Sequence, residues 1–234
     1  MSGSRLIGVA LVASITLGST WGGAAAASPE DRILSVDQYT SEKARALAQK
    51  YASALRELND KIYHCIPWLD VKKEGIGFFK PKGMPGDERH LSLNVYIEQD
   101  PSPTFATLRL EGRGSSMFSR YVGPLLRRMA HNTALLSDPL LDGFTVILSW
   151  LSQAPQGAGD RPVHDTIAAF MGKPAVAAYL AGRIPIRELA GHARVLAWNG
   201  ETPLGSLRIQ AWDDTFLSTF KLANYQPEPG ATCP

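Results

Sequence analysis

His164, Asp165 and Thr166 are the residues whose types come nearest to a hydrolytic site. They offer an imidazole that can move a proton near neutral pH, a carboxylate that can orient it, and a hydroxyl. Their spacing works against such a site. All three fall in Val163 to Met171, a segment with strand character, and neighbours on a strand point to opposite faces. His164 and Thr166 share one face and Asp165 lies on the other, so His164 and Asp165 form no dyad by themselves. A strand with one polar face accounts for the same residues more simply. His90 supplies a second imidazole. Glu88 would share its side of an extended segment, but Asp87, Glu88 and Arg89 have the composition of a solvated loop. A hydrolase would therefore have to be assembled in space from scattered groups, with His164, His90 and Asp165 as its candidate catalytic residues.

Other pairs invite the same comparison. Adjacent Asp213 and Asp214 could hold calcium or do acid–base work, yet carboxylates at a helix start are more often caps. Trp198 and Trp212 flank Asn199-Gly200 and could form an aromatic platform, or simply pack across a hairpin. There is no G-x-S-x-G elbow, no phosphate-binding glycine loop followed by Lys-Ser/Thr, and no H-E-x-x-H. Two cysteines exclude a cysteine-based zinc cluster, and the five histidines include no pair at ligand spacing. No cofactor or metal is expected.

These residues must be positioned by a recognisable set of elements. Thr40 or Ser41 can cap a helix that runs to Cys65, with Pro67 stopping it. Leu47, Tyr51, Leu55, Leu58 and Ile62 recur along it at helical spacing. Ile76 to Phe79 and Leu91 to Glu98 read as strands. The second alternates cleanly, with Leu91, Leu93, Val95 and Ile97 dry against Ser92, Asn94, Tyr96 and Glu98 wet. Asp100 to Pro103 makes a turn. Thr104 to Glu111 reads as a further strand, broken by Gly112 and Gly114. A helix from Met117 to His131 is expected to kink or start late at Pro124. Phe144 to Leu151 is apolar on both faces, as in a central strand, with Val163 to Met171 as its hairpin partner. Short helices follow Pro174 and Pro185. Val195 to Trp198 and Leu204 to Trp212 read as strands joined by the Asn199-Gly200 turn. Thr215 to Asn224 reads as a last helix.

The expected fold is α+β: a mainly antiparallel sheet of about six strands with helices packed on one face. A strand-loop-strand-helix order at 91–131 and again at 144–181 raises a duplicated ββα unit. No linker divides the chain, so residues 28–234 are expected to form a single domain.

The first 27 residues read as a cleavable export signal. Arg5 precedes the twelve-residue apolar stretch Leu6 to Leu17, and small residues lead to Ala24-Ala25-Ala26-Ala27. No cysteine stands near the cleavage region, so a lipoprotein is not expected. The apolar core is shorter than the about 20 residues of a spanning helix, so stable membrane insertion after cleavage is not expected. Of the 24 basic residues only Arg5 lies in this leader, and none of the 22 acidic ones does. The remainder holds 23 and 22, a formal charge of +1, too little basic excess for a general nucleic-acid binder. Export leads to a compartment where disulfides persist, the periplasm or the exterior, and a Cys65–Cys233 bridge is expected there. Closing so long a loop would stabilise the fold by about 5 kcal/mol on the chain-entropy model. The missing motifs and the patterned sheet favour a non-enzymatic exported protein that binds a protein or small-molecule partner. The scattered-site hydrolase is the alternative.

Overall fold

The structure, a computed structural model of the chain, describes residues 32–65, 69–97, 104–153, 157 and 161–215. The leader 1–27, the stop at Pro67, the turn 100–103, Cys233 and the helix expected over 215–224, save Thr215, lie outside the described residues. Helix α1 (Glu42–Lys50) opens on Ser41, whose hydroxyl accepts from the Ala44 N–H at 3.3 Å. It passes through Tyr51 into α2 (Ala52–Cys65). The five residues at helical spacing are all buried. Each removes apolar surface worth about 1.5–3 kcal/mol.

A single six-stranded sheet follows, in the order β1 (Leu69–Phe79), β2 (His90–Ile97), β3 (Gly143–Gln153), β4 (Val163–Gly172), β5 (Arg194–Asn199) and β6 (Thr202–Ser206). Every neighbouring pair is antiparallel except β2 and β3, which run parallel. A parallel pair needs a crossover, and helices supply it here. Helix α3 (Leu110–Met117) runs through one π turn (Phe118–Val122) into α4 (Gly123–Met129), and α5 (Ala134–Ser137) leads to β3. After β4, α6 (Lys173–Leu180) and α7 (Ile186–His192) lead to β5. Strand pairs followed by helices thus occur twice, as β1-β2-α3/α4 and β3-β4-α6/α7, with β1 and β3 running in opposite directions.

Alternation sorts the sheet into two faces. Leu91, Leu93, Val95, Phe144, Val146, Leu148, Ile167 and Ala169 point to the helices and are buried. Their neighbours in sequence form an open face. This is the α+β arrangement with helices on one side that the pattern implies.

The segment 104–111 is not the strand expected of it. Phe105–Thr107 is a 3-10 turn and α3 begins at Leu110. Gly112 and Gly114 both lie inside that helix, and at Gly114 tertiary packing leaves no room for a side chain. A Cβ on Gly114 would stand 2.8 Å from Leu207 Cδ2. The chain after β6 lies along this small-residue face. There the Gln210 and Trp212 N–H groups donate to the Ser115 and Ser119 hydroxyls, each at 3.0 Å. Residues 207–212 are therefore a strap over α3 and not the continuation of a strand. At Pro124 the helix does change, as expected: α4 starts afresh at Gly123 with the proline in its first turn. The proline enters just after the π turn, whose wider backbone absorbs the missing proline N–H.

Candidate functional site

The open face reads as three rows across the sheet, set by the strand register. One holds Gly77, Ser92, Thr145, Phe170 and Arg194; the next Asn94, Ile147, Ala168 and Leu196; the third Asp70, Tyr96, Ser149, Thr166 and Trp198. Neighbours in a row are about 4.8 Å apart. The middle row has no ordinary β1 member. Between Val71 and Ile76 the register slips, so that Lys72, Lys73, Glu74 and Gly75 bulge opposite Asn94. The bulge closes tightly, since a Cβ on Gly75 would meet the Asn94 carbonyl oxygen at 2.7 Å.

The bulge throws β1 over its own sheet. Lys72 reaches past β2, and its ammonium donates to the Ser149 hydroxyl of β3 at 2.9 Å; Ser149 and Thr166 are 2.9 Å apart. Burial among these groups lowers the Lys72 pKa. A lysine on a serine is the chemistry of an activated nucleophile, but Ser149 is 0 % exposed and no substrate carbon can reach it. Here the pair pins the bulge. Glu74, at its crest, has φ 53, a left-handed conformation costly for a side-chain-bearing residue. Glu74→Gly should raise stability by about 1 kcal/mol, read as an increase of about 2–4 °C in Tm by calorimetry.

Between the bulge and the β4–β5 side lies a cleft of about 420 Å³, inside the roughly 300–1,000 Å³ of small-ligand pockets. Its floor is low at Ile147 and Ala168, and Phe79, Phe170 and Trp198 stand higher around it. Lys82 places its ammonium 5.4 Å from the Trp198 ring centroid, and the Arg194 guanidinium lies 4.7 Å from that of Phe170. Arg194 also donates to the Lys82 carbonyl, tying the 80–86 loop to β5. Asn94 also lines the cleft, and its Oδ1 is buried without a hydrogen-bond partner. Buried acceptors are rarely left so, and the loss is about 1–3 kcal/mol.

The three candidate catalytic residues are not brought together. Asp165 is 1 % exposed on the helix side, where Arg113 Nη2 donates to it at 2.6 Å and Asn199 Nδ2 at 2.8 Å. His90 and His164 both face the open side but at opposite ends. His90 pairs with Gly143 and His164 with Leu151 on the flanking strand, about 26 Å apart along it. His90 is buried, with Nδ1 3.0 Å from Thr145 Oγ1, and burial lowers its pKa to about 4. His164 packs edge-on to Tyr96 at 5.0 Å. Burial, helped by the Lys72 charge, lowers its pKa too. Glu88 stays in the loop. Asp214 pairs with Arg120 at 3.7 Å. Trp198 is a cleft wall, whereas Trp212, 45 % exposed, sits on the strap over α3, so the two do not share a platform. Sequence reasoning placed Ser92 and Asn94 on a wet face but gave no sign that Ile147, Ala168, Phe170 and Lys82 would gather beside them.

Among the described residues no group of three or more His, Cys, Asp or Glu side chains could hold a metal ion, and no helix is long and apolar enough to cross a membrane. Compared with known proteins, the chain matches no family model, no curated protein and no solved structure.

Proposed function

We propose that the protein is an exported binding protein that takes a small molecule in the open-face cleft, without catalysing a reaction on it. The observation that carries this reading is the aromatic-walled recess, lined also by Asn94, whose buried side-chain oxygen has no protein partner. An apolar pocket with few convergent polar groups is the usual design of a ligand site. An unsatisfied buried acceptor beside such a recess costs free energy that a bound donor would recover. Export rests on the leader 1–27, and the Cys65–Cys233 bridge follows from the oxidising compartment to which it leads.

Native and denaturing mass spectrometry of the protein recovered from its producing cell's exterior or periplasm tests these points together. The expected polypeptide lacks residues 1–27 and is lighter by the hydrogens lost in forming one disulfide. Under native conditions it carries an additional small-molecule mass, which disappears on denaturation. Ala168→Phe fills the floor of the cleft with a ring and should abolish the additional mass while leaving the polypeptide mass otherwise as expected. Bound small molecule undiminished in the Ala168→Phe protein would place the ligand elsewhere and remove the reading.

A further inference from the structure

We propose that the ligand is a planar aromatic anion bearing an N–H or O–H donor, an inference that rests on the cleft being a binding site and names what it selects. Three features of the recess specify three parts of the molecule. Phe170 and Trp198 stand diagonally across Ala168: Phe170 is two residues along β4, and Trp198 faces Thr166 from β5. Residues 166 and 170 are about 13 Å apart along the strand, with only an alanine methyl between them. The space over Ala168 is thus a slot between aromatic walls, suited to a flat ring system that can lie edge-on or offset against both. A branched aliphatic chain would fill the same volume without using the ring faces.

The charged groups supply the second requirement. Lys80 and Lys82 stand at the mouth, and Arg194 reaches Phe170 just inside it. None of the three makes an ion pair with a carboxylate among the described residues. The acidic member of the rim, Glu74, accepts from Gln38 Nε2 at 3.3 Å, on the β1 side. The local excess is therefore cationic and lies on the side of Trp198. A carboxylate or similar anion carried by the ring meets Lys82 there, where the ammonium already rests against the indole.

Asn94 provides the third. Its Oδ1 can only accept and has no protein partner, so a ligand donor would satisfy it once the groups now covering that oxygen shift aside. Asn94 lies in the same row as Ile147 and Ala168, two strands from the slot, so a ring over Ala168 directs a ring N–H or hydroxyl across Ile147 towards it. Donor and anion consequently lie on opposite sides of the ring system.

Isothermal titration calorimetry of the purified protein with three probes separates the parts. Indole-3-acetate has the ring, the donor and the anion. Indole-3-acetamide lacks the charge, and naphthalene-1-acetate lacks the ring donor. Indole-3-acetate should bind about tenfold more tightly than either analogue. Lys82→Met should erase its advantage over indole-3-acetamide. Asn94→Leu should erase its advantage over naphthalene-1-acetate. Asn94→Leu should also leave Tm unchanged or higher, since the lost oxygen has no protein partner, which separates a binding effect from misfolding. Ala168→Phe should abolish binding of all three. If the three probes bind equally, all blocked by Ala168→Phe, the aromatic-anion assignment is overturned while the cleft remains a binding site. If no probe binds the wild-type protein, the assignment falls. The mass-spectrometric measurement on the protein from its own cell then decides the cleft itself independently.

Discussion

Asp165→Ala is expected to destabilise the protein by about 3–5 kcal/mol, the largest effect of any single change considered. Asp165 lies at the centre of a buried polar group joining α3, β4 and β5. It accepts from Arg113 Nη2 and from Asn199 Nδ2, and is itself almost fully buried. Removing the carboxylate leaves the Arg113 guanidinium, 21 % exposed, with a positive charge that water reaches poorly. Its Nε already has no partner, so the carboxylate is the chief compensation for burying it. Urea denaturation monitored by circular dichroism measures the loss. The double change Arg113→Met/Asp165→Leu should recover most of it, because replacing both partners removes the unpaired charge as well as the bond. If Asp165→Ala cost less than about 1 kcal/mol, water would have to reach the group and the buried-pair account would be wrong. The same experiment bears on chemistry. A carboxylate engaged by Arg113 and Asn199 on the helix side has no route to the open face, so Asp165→Asn should leave ligand binding in the cleft unchanged.

His90 should make the protein acid-labile in a defined window. Its pKa falls from the ordinary 6.5 to about 4, chiefly because burial disfavours the imidazolium, opposed by a backbone hydrogen bond at Phe144 and by the Asp142 charge. The unfolded chain therefore takes up this proton first as pH falls, and the folded one resists it. Stability from His90 is complete above pH 6.5 and is lost progressively down to about pH 4, where the folded imidazole protonates as well. The whole shift corresponds to roughly 3 kcal/mol. His90→Asn keeps a polar atom near Thr145 Oγ1 and removes the titration. It should lower stability at pH 7.5 but flatten the pH dependence between 6.5 and 4, measured as the midpoint of urea unfolding at several pH values. A variant with the wild-type slope would show that another group titrates in that window.

Local chemistry made much of this fold legible. The helix after Ser41 declared itself through five apolar residues at helical spacing, and each is buried. The alternation of Leu91 to Glu98 foretold which side of β2 would be dry. It also placed Asp165 opposite His164, as the sheet does. Gly112 and Gly114 misled, because a glycine reads as a breaker when seen alone. In the molecule both lie within a helix, and Gly114 clears a path for the 207–212 strap over it. The four-residue bulge in β1 left no trace in the pattern, since Lys72 to Gly75 look like an ordinary polar stretch.

The sequence by itself determined most of the element types and the two-sided character of the sheet. Helical period and strand alternation are properties of neighbours along the chain. The tertiary structure alone decided that β2 and β3 run parallel, that β1 doubles over Asn94, and that Phe170 and Trp198 stand around the same alanine. Those facts depend on register between strands as much as 53 residues apart, and register is settled by packing of the buried face, not by any local preference of the residues that end up lining the open one.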